Sequence, residues 1–202
     1  MNKVIFENQN LTPSKVVCIG RNYVDHIEEL GNDMPDNMVI FNKANSAITD
    51  QLRYFGDQCR FEGEICLLIQ KGKIAGIGLG LDLTRADIQS IQKKKGLPWE
   101  RAKSFDGSAV LSKFIPLQGD ISDINFKLHI NNKLTQEADY DLMIYKPSEM
   151  IHEIESFMTL EDNDIIMTGT PKGVGNYRAG NRFTMQLFDG KELLLEQKWV
   201  AI

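Results

Sequence analysis

Glu62-Gly63-Glu64 is where residue type and spacing come closest to doing chemistry. It leads into Ile65-Cys66-Leu67-Leu68-Ile69, a run that reads as a strand entering a core. The two-residue period of a strand puts Glu62 and Glu64 on one face, about 6.6 Å apart along the backbone. Carboxylates so placed repel unless a cation compensates them. Two readings follow: a site for a hard divalent ion such as Mg²⁺, or a solvated strand end. In the next segment Gly76, Gly78 and Gly80 alternate with Ile77, Leu79 and Leu81, and the glycine parity continues to Asp82. A strand face stripped of side chains lets something approach closely. If this strand lies beside the first, Asp82 joins Glu62 and Glu64, and three carboxylates suit Mg²⁺ or Mn²⁺. Tight packing of the sheet is the other reading. The glycines are not a dinucleotide fingerprint, because position 81 is Leu81 and the following helix starts too late.

Other reactive side chains read blandly on pattern alone. His26 and Glu29, three apart, fit a surface pair on a helix. Lys103 alone reads as a surface lysine. Lys93-Lys94-Lys95 reads as a solvated helix end favoured by the macrodipole. Residues 168–175 lack the Gly-Lys-Ser/Thr of a Walker loop, yet a loop after a buried strand can hold a carboxylate on its N–H groups. His129 and His152 read as structural.

These residues need a scaffold, and composition bounds it. The chain has 202 residues, enough for one catalytic domain (1–202) with a sizeable core. A formal charge of −5 argues against a nucleic-acid partner. Apolar runs fall far short of the ~20 residues that span a bilayer, and residues 1–11 lack a signal-peptide core. Cys18, Cys59 and Cys66 form no CxxC pair, which points to a reducing cytoplasm.

Strands are expected over 15–20, 38–41, 61–70 and 74–83, the last two joined through Lys71-Gly72-Lys73. Helices are expected over 22–30, ending at Gly31, and from Thr84 to a stop at Gly96 and Pro98. Thr84-Arg85-Ala86-Asp87 is a variant capping box. A loop over 33–37 precedes the second strand. Asn131-Asn132 and Asp189-Gly190 mark hairpins over 125–137 and 182–200. Residues 147–157 form a helix with Ile151 and Ile154 inward, and 164–168 a buried strand. The class is α+β and β-rich, with a mixed, roll- or barrel-like sheet and short flanking helices.

Six segments together carry a resemblance: Gly20-Arg21-Asn22-Tyr23-Val24-Asp25-His26, Phe61-Glu62-Gly63-Glu64, Leu81-Asp82-Leu83-Thr84, Lys95-Gly96-Leu97-Pro98-Trp99, Ala102-Lys103-Ser104-Phe105-Asp106, and Thr168 through Gly175. In this order and spacing the chain resembles the fumarylacetoacetate hydrolase family, closest to its acylpyruvase, oxaloacetate decarboxylase and hydroxymuconate isomerase branch. The resemblance implies a homodimeric enzyme using Mg²⁺ or Mn²⁺. It implies Glu62, Glu64 and Asp82 as metal ligands, His26 and Glu29 as the catalytic dyad, and Lys103 as the lysine beside the metal. It implies Gln89, Thr170, Arg21 and Lys43 as substrate-binding positions. Two departures stand out. The family's Thr-x-Arg-Asp becomes Thr84-Arg85-Ala86-Asp87, which moves the arginine by about 100° around a helix. A histidine common before the first glutamate is replaced by Arg60.

The substrates implied are small keto acids. A metal polarises the α-oxygen and stabilises an enolate. His26 takes a proton from water, Glu29 fixes the histidine tautomer, and Lys103 stabilises developing charge. The leading expectation is C–C hydrolysis of acylpyruvates such as fumarylpyruvate or acetylpyruvate. The alternative is an isomerase, tautomerase or decarboxylase on the same site, acting on 5-carboxymethyl-2-hydroxymuconate or oxaloacetate. A third reading is a silent keto-acid binder. Aromatic catabolism and central keto-acid metabolism both fit.

Overall fold

The structure, a computed structural model, describes residues 1–29, 31 and 36–202. The end of the first expected helix, at residue 30, and most of the loop expected over 33–37 lie outside the described residues. The fold is mostly β, a curled mixed sheet with few short helices. At its centre the strands Lys15–Gly20, Ile165–Met167, Gly63–Gln70 and Lys73–Asp82 run side by side. Val39–Ala44 adds to one side and Ala109–Leu111 to the other.

Ile65 to Ile69 is continuously apolar because both faces of its strand are covered. Ile65, Leu67 and Ile69 enter one core cluster, shared with a second antiparallel sheet of four strands between Ile124 and Val200. Cys66 and Leu68 enter another, with Cys18, Phe114 and Met167. The alternating glycines face this second cluster. A Cβ at Gly76 would meet Phe6 at 2.7 Å, and one at Gly80 would meet Cys66 Sγ at 2.6 Å. Tight packing is therefore what the glycine face serves along most of its length.

Its far end serves the carboxylates. Glu64 pairs with Gly80, and the Asp82 N–H donates to Glu62 O at 2.8 Å. Cross-strand partners share a face, so Glu62, Glu64 and Asp82 gather where that face emerges from the core. The hairpin turn is Lys71-Gly72, with φ of 52° and 67°, a pair of left-handed residues that suits a tight hairpin.

The helix expected from Thr84 begins two residues later, as Ala86–Lys95. Thr84 does not cap it, because its hydroxyl is used on Glu62. Gly96, with φ of 62°, ends the helix in the left-handed conformation as expected. The one-turn helix Glu100–Lys103 was not legible in the pattern, yet it delivers Lys103. The last hairpin turns one residue later than Asp189-Gly190, since Asp189 already pairs with Glu192. No described helix is long and apolar enough to cross a membrane.

Candidate active site

Glu62, Glu64 and Asp82 each bring a carboxylate oxygen within 4.8 Å of the others. Glu64 and Asp82 are buried and Glu62 partly so. Lys103 bridges two of them, its ammonium 2.9 Å from Glu62 Oε2 and 2.7 Å from Asp82 Oδ2. Thr84 Oγ1 donates to Glu62 Oε1 at 2.8 Å. Gly169 N–H donates to Glu64 Oε2 at 2.7 Å. Gly169 has φ of 98°, and a Cβ there would meet Asn22 Cβ at 2.7 Å, so only glycine brings that N–H this close.

The electrostatics separate the acids. Burial, then the charges of Asp82 and Glu62, push the Glu64 carboxyl well above the usual range. Burial also pushes Glu62 up, but Lys103 and then His26 outweigh it and hold Glu62 low. Burial opposes the charge of Lys103, and Asp82 and Glu62 more than restore it, raising its pKa. Asp82 Oδ1 is buried without a hydrogen-bond donor; the Lys43 ammonium lies 2.7 Å away as an ion pair but not in hydrogen-bond alignment. Three converging hard oxygens, with one carboxyl strained by like charge, fit a divalent cation.

Lys43, expected to bind substrate, is fully buried behind Asp82. It donates to Leu83 O at 3.3 Å, to Ser108 Oγ at 3.1 Å and to Lys103 O. It thus holds Asp82 and the main chain of Lys103. The Thr170 hydroxyl, also expected at substrate, is committed within the protein. It donates to Gly63 O and accepts from Gln136 Nε2, both at 2.9 Å.

His26 and Glu29 lie on the helix Val24–Glu29, with His26 buried. His26 Nδ1 is 3.4 Å from Glu29 Oε2. Glu29 accepts from the Gly173 N–H with both oxygens, at 3.0 and 3.1 Å, and Lys172 pairs with Asp25 at 2.7 Å. The glycine-rich loop therefore holds the dyad helix in place as well as Glu64. Gln89 sits half-buried on its helix; Gln92 of the same helix donates to Pro98 O. Arg85 has turned onto the Phe105 ring, 4.4 Å from its centroid. Arg21 has a φ of 56° and lies close enough for its charge to act on Lys93.

Two contributors escaped sequence reading. Thr84 was assigned to a helix cap. Gln136 was passed over, although it is a polar residue on the inward parity of its strand, beside Ala138. Its Oε1 accepts from Gly63 N–H at 2.9 Å, tying the second sheet to the Glu62-Gly63-Glu64 segment.

A family profile, fumarylacetoacetate (FAA) hydrolase C-terminal, matches residues 15–197. The chain is 38% identical over 199 residues to the oxaloacetate tautomerase YcgM of Escherichia coli (strain K12), covering 89% of this chain and 90% of that protein. A structure from Oleispira antarctica, described as a candidate fumarylacetoacetate isomerase/hydrolase, superposes with a TM-score of 0.94 at 34% identity, over 100% of both chains. The fumarylpyruvate hydrolase of Pseudomonas aeruginosa, solved with Mn²⁺ and pyruvate, superposes with a TM-score of 0.89 at 27% identity, over 100% of this chain and 97% of that one.

Proposed function

Because the chain belongs to the fumarylacetoacetate hydrolase family of enzymes, we propose that it interconverts the enol and keto forms of a small keto acid of the oxaloacetate type. This places the alternative ahead of the leading expectation, hydrolysis of acylpyruvates. The relative with 38% identity is an oxaloacetate tautomerase. The observation that carries the reading is Lys103 bridging Glu62 and Asp82 in the Glu62, Glu64, Asp82 cluster, with one loop holding both Glu64 and the Glu29 of the dyad. Tautomerisation asks for an acid, a base and charge stabilisation, and those groups supply all three without an attacking water.

Glu62, Glu64 and Asp82 would hold the divalent ion, Mg²⁺ or Mn²⁺, which when bound supplies Lewis acidity to the oxygens of a 2-keto acid. His26 moves the proton at substrate C3. Glu29 sits on Nδ1, so that Nε2 is the working nitrogen. Lys103 offsets the negative charge on the C2 oxygen of the enolate. Residues 1–202 act as one catalytic unit, the family resemblance supports a homodimer, whose mass light scattering would report, and the free thiols of Cys18, Cys59 and Cys66 support a reducing compartment such as the cytoplasm.

The test follows the enol absorbance of oxaloacetate with Mg²⁺, beside carbon NMR of the same mixture and of fumarylpyruvate. The expected result is faster enol–keto exchange with no carbon lost, abolished in His26→Ala. Release of CO₂ would make the enzyme a decarboxylase. Cleavage of fumarylpyruvate into two acids would restore the hydrolase. Exchange no faster than in buffer would overturn the proposal.

A further inference from the structure

The dyad helix Val24–Glu29 is six residues long. A helix that short has little stability of its own, so its place is set by what holds its ends. Gly173 holds Glu29 at the far end. At the near end the anchor is Asn22, which is fully buried. Its side-chain amide meets Tyr145 twice: Oδ1 accepts from the Tyr145 N–H at 2.7 Å, and Nδ2 donates to Tyr145 O at 3.1 Å. Nδ2 also donates to Thr168 O at 2.8 Å. The main chain adds two links. Ile144 N–H donates to Asn22 O at 2.8 Å, and Tyr23 bridges to Met143.

The segment that receives Asn22 is itself pinned. The Lys146 ammonium donates to Tyr140 O at 2.7 Å, to Met143 O at 2.9 Å and to Asp141 O at 3.2 Å. On its other side Asn22 touches the loop that serves the carboxylates. Thr168 precedes Gly169, whose N–H holds Glu64, and a Cβ on Gly169 would meet Asn22 Cβ at 2.7 Å. From Asn22 the chain runs straight into the helix, where Ile27 N–H donates to Tyr23 O at 3.1 Å and His26 follows. One side chain thus joins the start of the dyad helix, the loop beside Glu64 and the segment 140–146. Donor and acceptor side by side are what a carboxamide offers, whereas an ionised aspartate of the same shape only accepts.

We propose that Asn22 is a positioning residue: it fixes the helix that carries His26 against the loop that holds Glu64, and so sets the geometry of proton transfer. This rests on the reading of His26 as the group that moves the proton. Asn22 is buried away from any ligand, so its loss acts through the placing of His26, where a displacement of about 1 Å lowers a rate by up to about 100-fold.

Asn22→Asp keeps the acceptor and loses both donors. It is compared with wild type in Mg²⁺ affinity by calorimetry, in the kinetics of oxaloacetate enol–keto exchange, and in amide hydrogen exchange over residues 24–29. Mg²⁺ affinity should be unchanged. The kcat should fall by roughly 10- to 100-fold with little change in KM, and hydrogen exchange over 24–29 should quicken. Lys146→Met frees the segment 140–146 from its clamp and should give the same signs with a smaller fall in kcat; it carries the test if Asn22→Asp does not fold. Unchanged kcat in a folded Asn22→Asp overturns the proposal. So does a loss of Mg²⁺ affinity with exchange quickened throughout the chain, which would make Asn22 an ordinary part of the core. If wild type does not speed oxaloacetate exchange, the tautomerase reading fails. Quickened hydrogen exchange confined to 24–29, with Mg²⁺ affinity kept, would then still uphold Asn22 as the residue that fixes the helix, and unchanged exchange there would overturn it.

Discussion

Lys43 and Lys103 share Asp82 but differ in what they can do. Lys103 reaches it from the cleft side and also touches Glu62. Lys43 pairs with it from within the protein and donates to Leu83 O, Lys103 O and Ser108 Oγ. Removing a buried partner leaves the opposite charge uncompensated, which is costly. Lys43→Met is expected to lose about 3 kcal/mol in urea unfolding, whereas the exposed Lys172→Met, which breaks the pair with Asp25, should unfold close to wild type. Glu62 and Glu64 were legible as a pair from their spacing alone. Lys43 was legible only as a position of family resemblance. Nothing local distinguishes a lysine that points at solvent from one that crosses behind a second strand.

Among the elements, the strand Ile165–Met167 and the loop that follows it support both halves of the site. The loop gives Gly169 to Glu64 and Gly173 to Glu29. The start of the strand is anchored by Asp164, which accepts from the N–H groups of Ser14, Lys15 and Glu161, from the Ser14 hydroxyl and from the Lys15 ammonium. Burial pushes the Asp164 carboxyl up, but those donors outweigh it and hold it below the usual range. A lowered folded-state pKa means the anchor contributes fully above the unfolded value, about 3.9, and is lost as pH falls through the lowered one. Asp164→Asn should therefore cost about 2–3 kcal/mol at pH 7, and the gap to wild type in urea unfolding should close as pH falls below about 4. Equal gaps at both ends would show that Asp164 acts by shape and not by charge. The element pattern itself was readable where local chemistry sets it, as at Lys71-Gly72 and Gly96. It misled at Thr84, where a tertiary hydrogen bond to Glu62 displaced the helix cap.

At the scale of the molecule, two sheets meet across one core, and the carboxylates lie on the other face of the larger sheet. Gln136 reaches from the second sheet to Gly63 and Thr170, so events at the carboxylates report on the whole fold. A ligand that binds only the native state stabilises it by mass action, about 2.7 kcal/mol at a hundred times its dissociation constant. Mg²⁺ or Mn²⁺ should raise Tm in wild type and leave it unmoved in Glu64→Gln, as followed by calorimetry. An equal rise in both proteins would remove Glu64 from the ligand set. By itself, the sequence determined the β-rich class, the pairing of Glu62 with Glu64 and the parity that carries on to Asp82. All three follow from the two-residue period of a strand and the run of apolar residues after it, which are local properties of the chain. Only the tertiary structure decided that Thr84 serves Glu62, that Lys43 stands behind Asp82, and that Lys93 lies over the Trp99 ring. Those positions depend on which strands become neighbours and on where a core excludes water, and a one-dimensional pattern carries neither.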